Sequence, residues 1–157
     1  MSQLPFPVDV SLARTATAEL VSAFGRLLPQ LSSSAPPLTF ESLAQILAAP
    51  GNAVFVARDP DAEGRIVGSL TLVMFRIPTA LRAWIEDVVV DESARGRGVG
   101  EALVQAAVAL ARERGAKTID LTSRSSRKAA HRLYEKSGFH IRETSVYRHG
   151  PGPAAQG

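Results

Sequence analysis

Closely spaced glycines, interspersed with arginines, form the segment of this chain best suited to bind an anion. The segment reads Arg95-Gly96-Arg97-Gly98-Val99-Gly100 and lies between a predicted strand and a predicted helix. The first turn of a helix leaves backbone N–H groups without intrahelical partners and carries the positive end of the helix dipole. Glycine lets a ligand approach that backbone closely. The pattern therefore predicts a phosphate-binding turn.

The spacing of the glycines narrows the kind of phosphate ligand. A dinucleotide fingerprint starting at Gly96 would need glycine at position 101, where the chain has Glu101. A nucleotide-binding P-loop needs a Gly-Lys pair, and the sequence contains none. The pattern that remains is Arg-x-x-Gly-x-Gly, formed by Arg95, Gly98 and Gly100. The alternative is a tight strand-to-helix turn that binds no ligand.

Two adjacent carboxylates, Glu86 and Asp87, precede this turn on the predicted strand. Because side chains alternate along a strand, we expect only one of them to face a cleft, and Glu86 to share its face with Trp84 and Val88. The three histidines are spaced nine residues apart, which is not metal-ligand spacing, so no metal site is predicted. The absence of cysteine excludes a thiol nucleophile, and the absence of a Gly-x-Ser-x-Gly elbow argues against a serine triad.

Two motifs give the chain a resemblance to a known family. Arg95-x-x-Gly98-x-Gly100, after a strand ending in Asp87-Val88-Val89-Val90, resembles the acetyl-CoA motif of the GNAT superfamily of N-acetyltransferases. Ala130-x-x-Leu133-Tyr134-x-x-x-Gly138-Phe139 is similar to the C-terminal signature of that family. The resemblance is strong over residues 84–147. The first 80 residues resemble the family only in the order of their predicted helices and strands. Many family members have Asn three residues before the motif alanine, where this chain has Arg127.

The resemblance implies an N-acetyltransferase whose cofactor is acetyl-CoA. It implies that the backbone around Val88, Val89 and Val90 holds the pantetheine arm like an added strand, and that an N–H near Val89 polarises the thioester carbonyl. It also implies that residues 95–100 bind the pyrophosphate. Ala130 belongs to the same cofactor-binding set, and Arg127 could contact the phosphates in place of the family Asn.

The resemblance also implies which side chains are catalytic. Tyr134 matches the general acid of the family, because a phenol of pKa near ~10 stays protonated at neutral pH and can donate to a departing thiolate. Glu86 is the candidate base, acting through water. The alternative for Tyr134 is a packing role in the core, in an apolar helical stripe with Ala130 and Leu133. The alternative for Glu86 and Asp87 is that the carboxylate is simply solvated and takes no part in the reaction.

No motif specifies the acceptor. Residues 1–94 hold six basic and ten acidic residues, which favours a small cationic amine as substrate. The strand 85–90 is similar to that of aminosugar-phosphate acetyltransferases, whose acceptor would need a phosphate contact from an arginine such as Arg82 or Arg124. Without a cysteine, no acyl-cysteine intermediate can form, so direct transfer in a ternary complex is expected.

The hydrophobic patterns predict the elements that position these residues. Strands are expected at residues 8–12, 52–58, 65–76, 82–90, 117–122 and 139–148. Helices are expected at residues 15–28, 39–48, 98–114 and 125–136. The first helix should end before Pro29, Thr39 should cap the second, and Ser125 or Ser126 should cap the last. Gly68, inside a strand, predicts a bulge or a close approach.

The order of these elements predicts a mixed α/β fold, with antiparallel strands first and a parallel crossover in the centre. The resemblance implies the GNAT fold, with a splayed pair of parallel strands and about four flanking helices. A single domain is expected over residues 1–148, followed by a disordered tail over residues 149–157.

Composition and charge limit the classes of protein to which this chain can belong. The 157 residues are 45% hydrophobic and 21% charged, as in a globular domain rather than a disordered or fibrous one. No stretch predicts a membrane span or a signal peptide, so a cytoplasmic location is expected. Residues 95–157 hold twelve basic and five acidic residues, which favours a polyanionic partner such as a phosphate-bearing cofactor.

Two other classes of function remain as alternatives. One alternative is a non-catalytic acyl-CoA-binding module with the same fold, which would also need the glycine turn. The presence of Tyr134, a candidate general acid, favours an enzyme over such a module. A nucleic-acid-binding domain would explain the basic half, but the chain has no recognisable motif of that kind and only nine aromatic residues, so no nucleic-acid partner is expected. A homodimer stays open, since members of the GNAT family often dimerise.

Overall fold

The computed structural model describes residues 7–152, which form a mixed α/β fold. A single five-stranded sheet has the order β1-β2-β3-β4-β5. Its strands are β1 (Asp9–Ala13), β2 (Asn52–Asp59), β3 (Arg65–Ile77), β4 (Ala80–Val90) and β5 (Thr118–Asp120). The helices are α1 (Ala18–Leu31), α2 (Phe40–Ala48), α3 (Val99–Glu113) and α4 (Lys128–Lys136). Within the described residues, no helix is long and apolar enough to cross a membrane.

Helices α1 and α2 cover one face of the sheet. They bury an apolar cluster that includes Leu27, Leu43 and Val54. Thr39 caps α2 as predicted, with its hydroxyl accepting the Ser42 N–H at 3.1 Å. Such a cap supplies a partner for one of the free N–H groups at the helix start.

The prediction that the first helix ends before Pro29 is wrong. Pro29 lies inside α1, and the Ser32 N–H donates to the Leu28 carbonyl at 2.9 Å. A proline removes only the hydrogen bond to the residue four positions earlier, here Gly25, and crowds that one carbonyl. This cost falls in the last helical turns, while the apolar face of α1 remains buried against the sheet.

Helix α3 packs on the opposite face of the sheet, and Gly68 lets it approach. A Cβ at Gly68 would lie 3.1 Å from side-chain atoms of both Leu103 and Val99 in α3. The register with β2 also shifts here, because Val67 is an extra residue between the pairs Ile66–Arg58 and Gly68–Ala57. Both predictions for Gly68, a bulge and a close approach, are confirmed.

A β-bulge in β4 changes which side chains face each side of the sheet. Two residues of β4, Asp87 and Val88, lie opposite Leu70 alone, and Asp87 has a left-handed backbone with φ of 50°. Before the bulge, Ile85 packs in the α3-side core, whereas after it Val89 packs against the α1 side. The prediction that Glu86 shares its face with Val88 is therefore wrong, because the extra residue reverses the alternation.

The two parallel strands β4 and β5 are hydrogen-bonded over a short stretch only. Their register joins Arg82 to Thr118, Ala83 to Ile119 and Trp84 to Asp120. Beyond Trp84, β4 continues for residues 85–90 with no partner strand on this side among the described residues, and residues 121–127 have no regular structure. The expected splayed pair is thus present, and it leaves one backbone edge of β4 free.

Two predictions near the C-terminus are wrong. Helix α4 has Arg127 as its N-cap, without a side-chain hydrogen bond, so neither Ser125 nor Ser126 caps it. Residues 139–148, predicted as a strand, form no strand, because no other strand within residues 7–152 pairs with them. The predicted tail over residues 149–157 lies partly outside the described residues, and the single-domain boundary stays a prediction.

Candidate active site

The glycine turn, residues 95–100, lies shortly after the C-terminal end of β4, whose backbone edge is free. Asp91 begins a single 3₁₀ turn, residues 92–94, with its carboxylate accepting the Ser93 N–H at 3.0 Å and the Ser93 hydroxyl at 2.8 Å. Burial alone would raise the pKa of Asp91, but the Ser93 hydrogen bonds and the charge of Arg65 outweigh it and hold the pKa below its usual value. Arg26 also lies 3.7 Å from this carboxylate. The loop that leads into α3 is therefore anchored at its base.

The backbone of the turn has the conformation that glycine favours. Gly96 has a φ of 75°, and Gly98, the N-cap of α3, has a φ of 84°. Among the residues that the structure describes, no side chain caps α3, so its first N–H groups are not occupied by a capping oxygen. A Cβ at Gly96 would meet no atom within 4 Å, so the space beside this backbone is open. These features suit an oxyanion held by backbone N–H groups.

The two arginines of the turn differ in their contacts. The Nε of Arg95 donates to the Val90 carbonyl at 3.2 Å, which joins the turn to the end of β4. Arg97 Nη1 lies 3.6 Å from a carboxylate oxygen of Asp59, which is largely buried. Arg95 therefore contacts the end of β4, which precedes the turn, whereas Arg97 contacts the end of β2.

Gly100 explains how α4 comes to lie beside the glycine turn. A Cβ at Gly100 would lie 3.0 Å from a methyl group of Leu133 in α4. Lys136 also pairs with Glu101 at 3.1 Å, so the second half of α4 is joined to the first turn of α3. The two sequence motifs thus meet at one place, with Val99 buried beneath them and Ala130 partly buried on α4.

Tyr134 is a partly buried phenol on the α3 side of the sheet. Its ring packs edge-on against Phe139, with 6.1 Å between the ring centroids. Burial raises the pKa of Tyr134, and the nearby charge of Arg127 opposes part of that rise. A phenol in these surroundings is protonated at neutral pH and is able to donate a proton. Within residues 7–152, no hydrogen bond holds its hydroxyl group.

Both candidate carboxylates are exposed. Glu86 pairs with Thr71 in the sheet register just before the bulge, and Asp87 is the bulge residue itself. Neither makes an ion pair with a residue in the described part of the chain. The left-handed backbone at Asp87 breaks the alternation of the strand on which the expectation for these two side chains rests, and which of them faces a cleft stays a prediction. Val89, by contrast, is buried, and Val88 and Val90 are partly buried.

The loop between β5 and α4 contains a polar group that the sequence did not reveal. The hydroxyl of Ser123 is buried and has no hydrogen-bond partner in the described chain. His131 is partly buried, and its Nε2 lies 2.8 Å from the Arg124 carbonyl, to which it donates. A buried hydroxyl without a partner beside the splayed strands is available to a ligand. No local motif signals it.

The arginine proposed for a phosphate contact on β4 is already paired. The guanidinium of Arg82 bonds Thr118 Oγ1 at 3.1 Å and Asp120 at 3.3 Å, which ties β4 to β5 at the hydrogen-bonded end of the pair. Arg124, in contrast, is exposed on the loop next to α4. No group of three or more metal-ligating side chains occurs within residues 7–152.

The sequence and the fold both match known proteins. The model of the acetyltransferase (GNAT) family matches residues 19–139. A glucosamine 6-phosphate N-acetyltransferase of Trypanosoma brucei brucei is 36% identical over 144 residues, covering 88% of this chain and 95% of that protein. Glucosamine 6-phosphate N-acetyltransferase 1 of Oryza sativa subsp. japonica is 43% identical over 106 residues, covering 62% of this chain and 63% of that protein. A crystal structure of a Trypanosoma brucei acetyltransferase has a TM-score of 0.74 at 31% identity, covering 91% of this chain and 99% of that one.

The chain therefore belongs to the GNAT family of acetyltransferases. It is an N-acetyltransferase, and enzymes of this family use acetyl-CoA. The open glycine turn, the free edge of β4 and the buried Ser123 hydroxyl fit a ligand with phosphates at one end and an amide-containing arm at the other.

Proposed function

We propose that this enzyme transfers the acetyl group of acetyl-CoA directly to a small primary amine. The proposal rests on three features that lie near the splayed strands. They are the open glycine turn, the unpaired edge of β4 and the protonated phenol of Tyr134. When bound, acetyl-CoA supplies the acetyl group as a thioester. The absence of cysteine leaves no route through an acyl-cysteine.

The backbone would hold the two ends of the cofactor. Residues 95–100, with Gly96 and Gly98 in left-handed conformations, would bind the pyrophosphate through their N–H groups. The free edge of β4 over Val88, Val89 and Val90 would pair with the pantetheine arm as a strand does. The Val89 N–H would polarise the thioester carbonyl. Arg127 and Ala130, at the start of α4, would complete the phosphate side of the site.

Two side chains would carry the protons. Tyr134 would donate its proton to the leaving sulfur, a role that the raised pKa of its phenol supports because the group is then protonated at neutral pH. Glu86 would accept a proton from the amine through water, since its carboxylate is exposed just before the bulge that frees the backbone of β4. An exposed carboxylate at this point also attracts a protonated amine before the reaction.

The acceptor is a small amine, and the relatives favour an aminosugar phosphate. Two relatives carry the name glucosamine 6-phosphate N-acetyltransferase. An acceptor of that kind needs a cation for its phosphate, and Arg124 is exposed near α4, whereas Arg82 is occupied by Asp120. A small cationic amine without phosphate is the second candidate, favoured by the excess of acidic residues before position 95. A cytoplasmic location also stays a prediction.

An acceptor screen tests the proposal. Thiol release from acetyl-CoA can be followed with a thiol reagent without background, because the protein has no cysteine. We expect turnover with glucosamine 6-phosphate or with small cationic amines, and not with peptide amines. If glucosamine 6-phosphate is the acceptor, Arg124→Ala should raise its KM but not that of glucosamine, while Arg132→Ala, at another exposed arginine, should change neither. Binding of acetyl-CoA without thiol release for any amine would contradict the proposal.

A further inference from the structure

A groove opens at the end of the sheet that lies away from the glycine turn. Its volume is about 410 Å³, which is within the range of small-molecule sites. Its walls are the loop between α2 and β2, the end of β3, the start of β4 and the end of α3. The residues that line this end groove include Gly51, Met74, Arg76, Leu81 and Arg114.

The end groove is far from the proposed phosphate site. Strand β4 begins beside the groove at Ala80 and ends near the glycine turn at Val90. A strand of this length, at about 3.3 Å per residue, spans roughly 30 Å. Helix α3 runs between the same two regions, and its 15 residues span roughly 20 Å at about 1.5 Å each. A ligand in the end groove would therefore leave the glycine turn free for acetyl-CoA.

The register of β3 and β4 gives the end groove an apolar floor. Arg76 lies opposite Leu81 in that register, so their side chains share one face of the sheet. Met74, two residues before Arg76, faces the same way. Met74 belongs to the apolar cluster beneath α3, and Leu81 packs against that cluster. The charged side chain of Arg76 therefore lies beside apolar surface.

The walls of the end groove are fixed by backbone contacts. The Met74 N–H donates to the Gly51 carbonyl at 2.7 Å, which holds the loop between α2 and β2 against β3. A Cβ at Gly51 would clash with the Met74 carbonyl oxygen, so this close approach requires glycine. On the other side, the Lys117 N–H donates to the Leu81 carbonyl at 2.8 Å. A ligand would meet a preformed site and would lose little affinity to the ordering of its walls.

Two arginines give the end groove positive charge without a counter-charge. Arg76 and Arg114 are exposed, and neither makes an ion pair within residues 7–152. Three other arginines each pair with a carboxylate, namely Arg26, Arg58 and Arg82. No acidic residue is among the described residues that line the groove. Two guanidinium groups on one small groove repel each other, and an anion bound between them would relieve that repulsion.

We propose that the end groove is a second ligand site, which binds a small organic anion with an apolar body. The planar guanidinium groups of Arg76 and Arg114 hold the carboxylate or phosphate of the ligand through paired N–H donors. The apolar body lies on Met74 and Leu81 and removes apolar surface from water. An extended polyanion such as a nucleic acid fits less well, because a groove of about 410 Å³ admits only a small molecule.

The first experiment titrates matched small molecules into isotope-labelled protein saturated with acetyl-CoA, so that the glycine turn is occupied. Phenylacetate and phenyl phosphate are the anionic probes, phenylacetamide lacks the charge and acetate lacks the apolar body. We expect at least one anionic probe to give saturable NMR shifts at the amides of Gly51, Leu81 and Arg114. Phenylacetamide and acetate should each bind at least about tenfold more weakly than that probe, and the better probe distinguishes a carboxylate site from a phosphate site.

Three outcomes of this titration would overturn the proposal. They are the absence of saturable binding of both anionic probes, shifts confined to residues outside the groove, and equal affinities for the anionic probes and phenylacetamide.

The second experiment assigns the binding to the two arginines. The double variant Arg76→Gln/Arg114→Gln removes both charges and should weaken the better anionic probe at least about tenfold. Arg112→Gln is the control, because Arg112 is an exposed arginine of α3 that does not line the groove. We expect it to change the affinity less than about twofold. Both variants should keep the wild-type circular dichroism and the wild-type Kd for acetyl-CoA. A folded double variant that binds the probe as tightly as wild type, or an equal loss in Arg112→Gln, would overturn the proposal.

Discussion

The ring of Tyr134 packs against Phe139, and Arg127 is close enough for its charge to act on the phenol. Burial raises the pKa of the phenol by more than the charge of Arg127 lowers it. If Tyr134 is the proton donor, Tyr134→Phe keeps the ring packing but removes the proton. We expect kcat to fall by roughly ten- to a thousandfold, with little change in the Kd for acetyl-CoA. Steady-state kinetics and calorimetric binding of acetyl-CoA measure the two quantities. An unchanged kcat, with chemistry shown to be rate-limiting, would return Tyr134 to a packing role.

A matched pair of variants distinguishes which of the two carboxylates at the bulge, Glu86 or Asp87, acts as the base. Glu86→Gln should lower kcat/KM several-fold and flatten its rise with pH, because the amide cannot accept the proton from the amine. Asp87→Asn is the control, since asparagine also tolerates the left-handed backbone found at Asp87. We expect it to keep the wild-type rate and pH profile. The opposite result would assign the base to Asp87.

At the scale of elements, two glycines with the same backbone requirement flank α3. Gly96 has a φ of 75° before the helix and Gly115 a φ of 83° after it, and a Cβ at either would meet no atom within 4 Å. Gly96→Ala and Gly115→Ala should therefore each cost about 1 kcal/mol of stability through backbone strain. Only Gly96→Ala should weaken acetyl-CoA binding, as measured by calorimetry. Equal affinities in the two variants would remove the glycine turn from the cofactor site.

The 3₁₀ turn before α3 should make stability depend on pH. The pKa of Asp91 is lower in the folded chain than its ordinary value of 3.8, so its carboxylate adds stability above that value. This contribution is lost as the pH falls below 3.8 and through the lower folded pKa. Asp91→Asn should therefore be less stable than wild type at pH 7, with the difference narrowing in acid. Urea unfolding at pH 7 and pH 3 tests this, and Glu92→Gln, at an exposed neighbour, should show no such change.

The elements also show what local sequence can and cannot predict. Thr39 was recognisable as a cap because a cap depends on residues within one helical turn. The bulge at Asp87 was not, since it arises from how β4 fits against β3 and no glycine or asparagine marks it. The strand predicted at residues 139–148 has the right residue types, but pairing depends on a neighbour that local patterns do not contain. Ser123 belongs to no motif, and only the folded chain shows that its hydroxyl is buried with no hydrogen-bond partner among residues 7–152.

At the scale of the whole molecule, basic and acidic residues are divided between the part of the chain proposed to bind phosphate and the part that contains the proposed base. The glycine turn and α4 belong to the basic part, after residue 94, and the carboxylates Glu86 and Asp87 to the acidic part. A cofactor bound between β4, α3 and α4 would contact only the folded state, in which these elements meet. Its binding is therefore coupled to the stability of the entire domain.

This coupling gives a prediction for thermal unfolding. Acetyl-CoA at about 100 times its Kd should add roughly 2.7 kcal/mol and raise the Tm by about 5–10 °C for a chain of this size. A short acetyl thioester without phosphates should give little shift at the same concentration, because it cannot use the N–H groups of the glycine turn. The acetyl-CoA shift should also shrink with added salt, since part of the attraction is between phosphates and the basic region. Equal shifts with the two thioesters would mean that the phosphate end contributes no binding energy, and the turn would then be only a tight connection between β4 and α3.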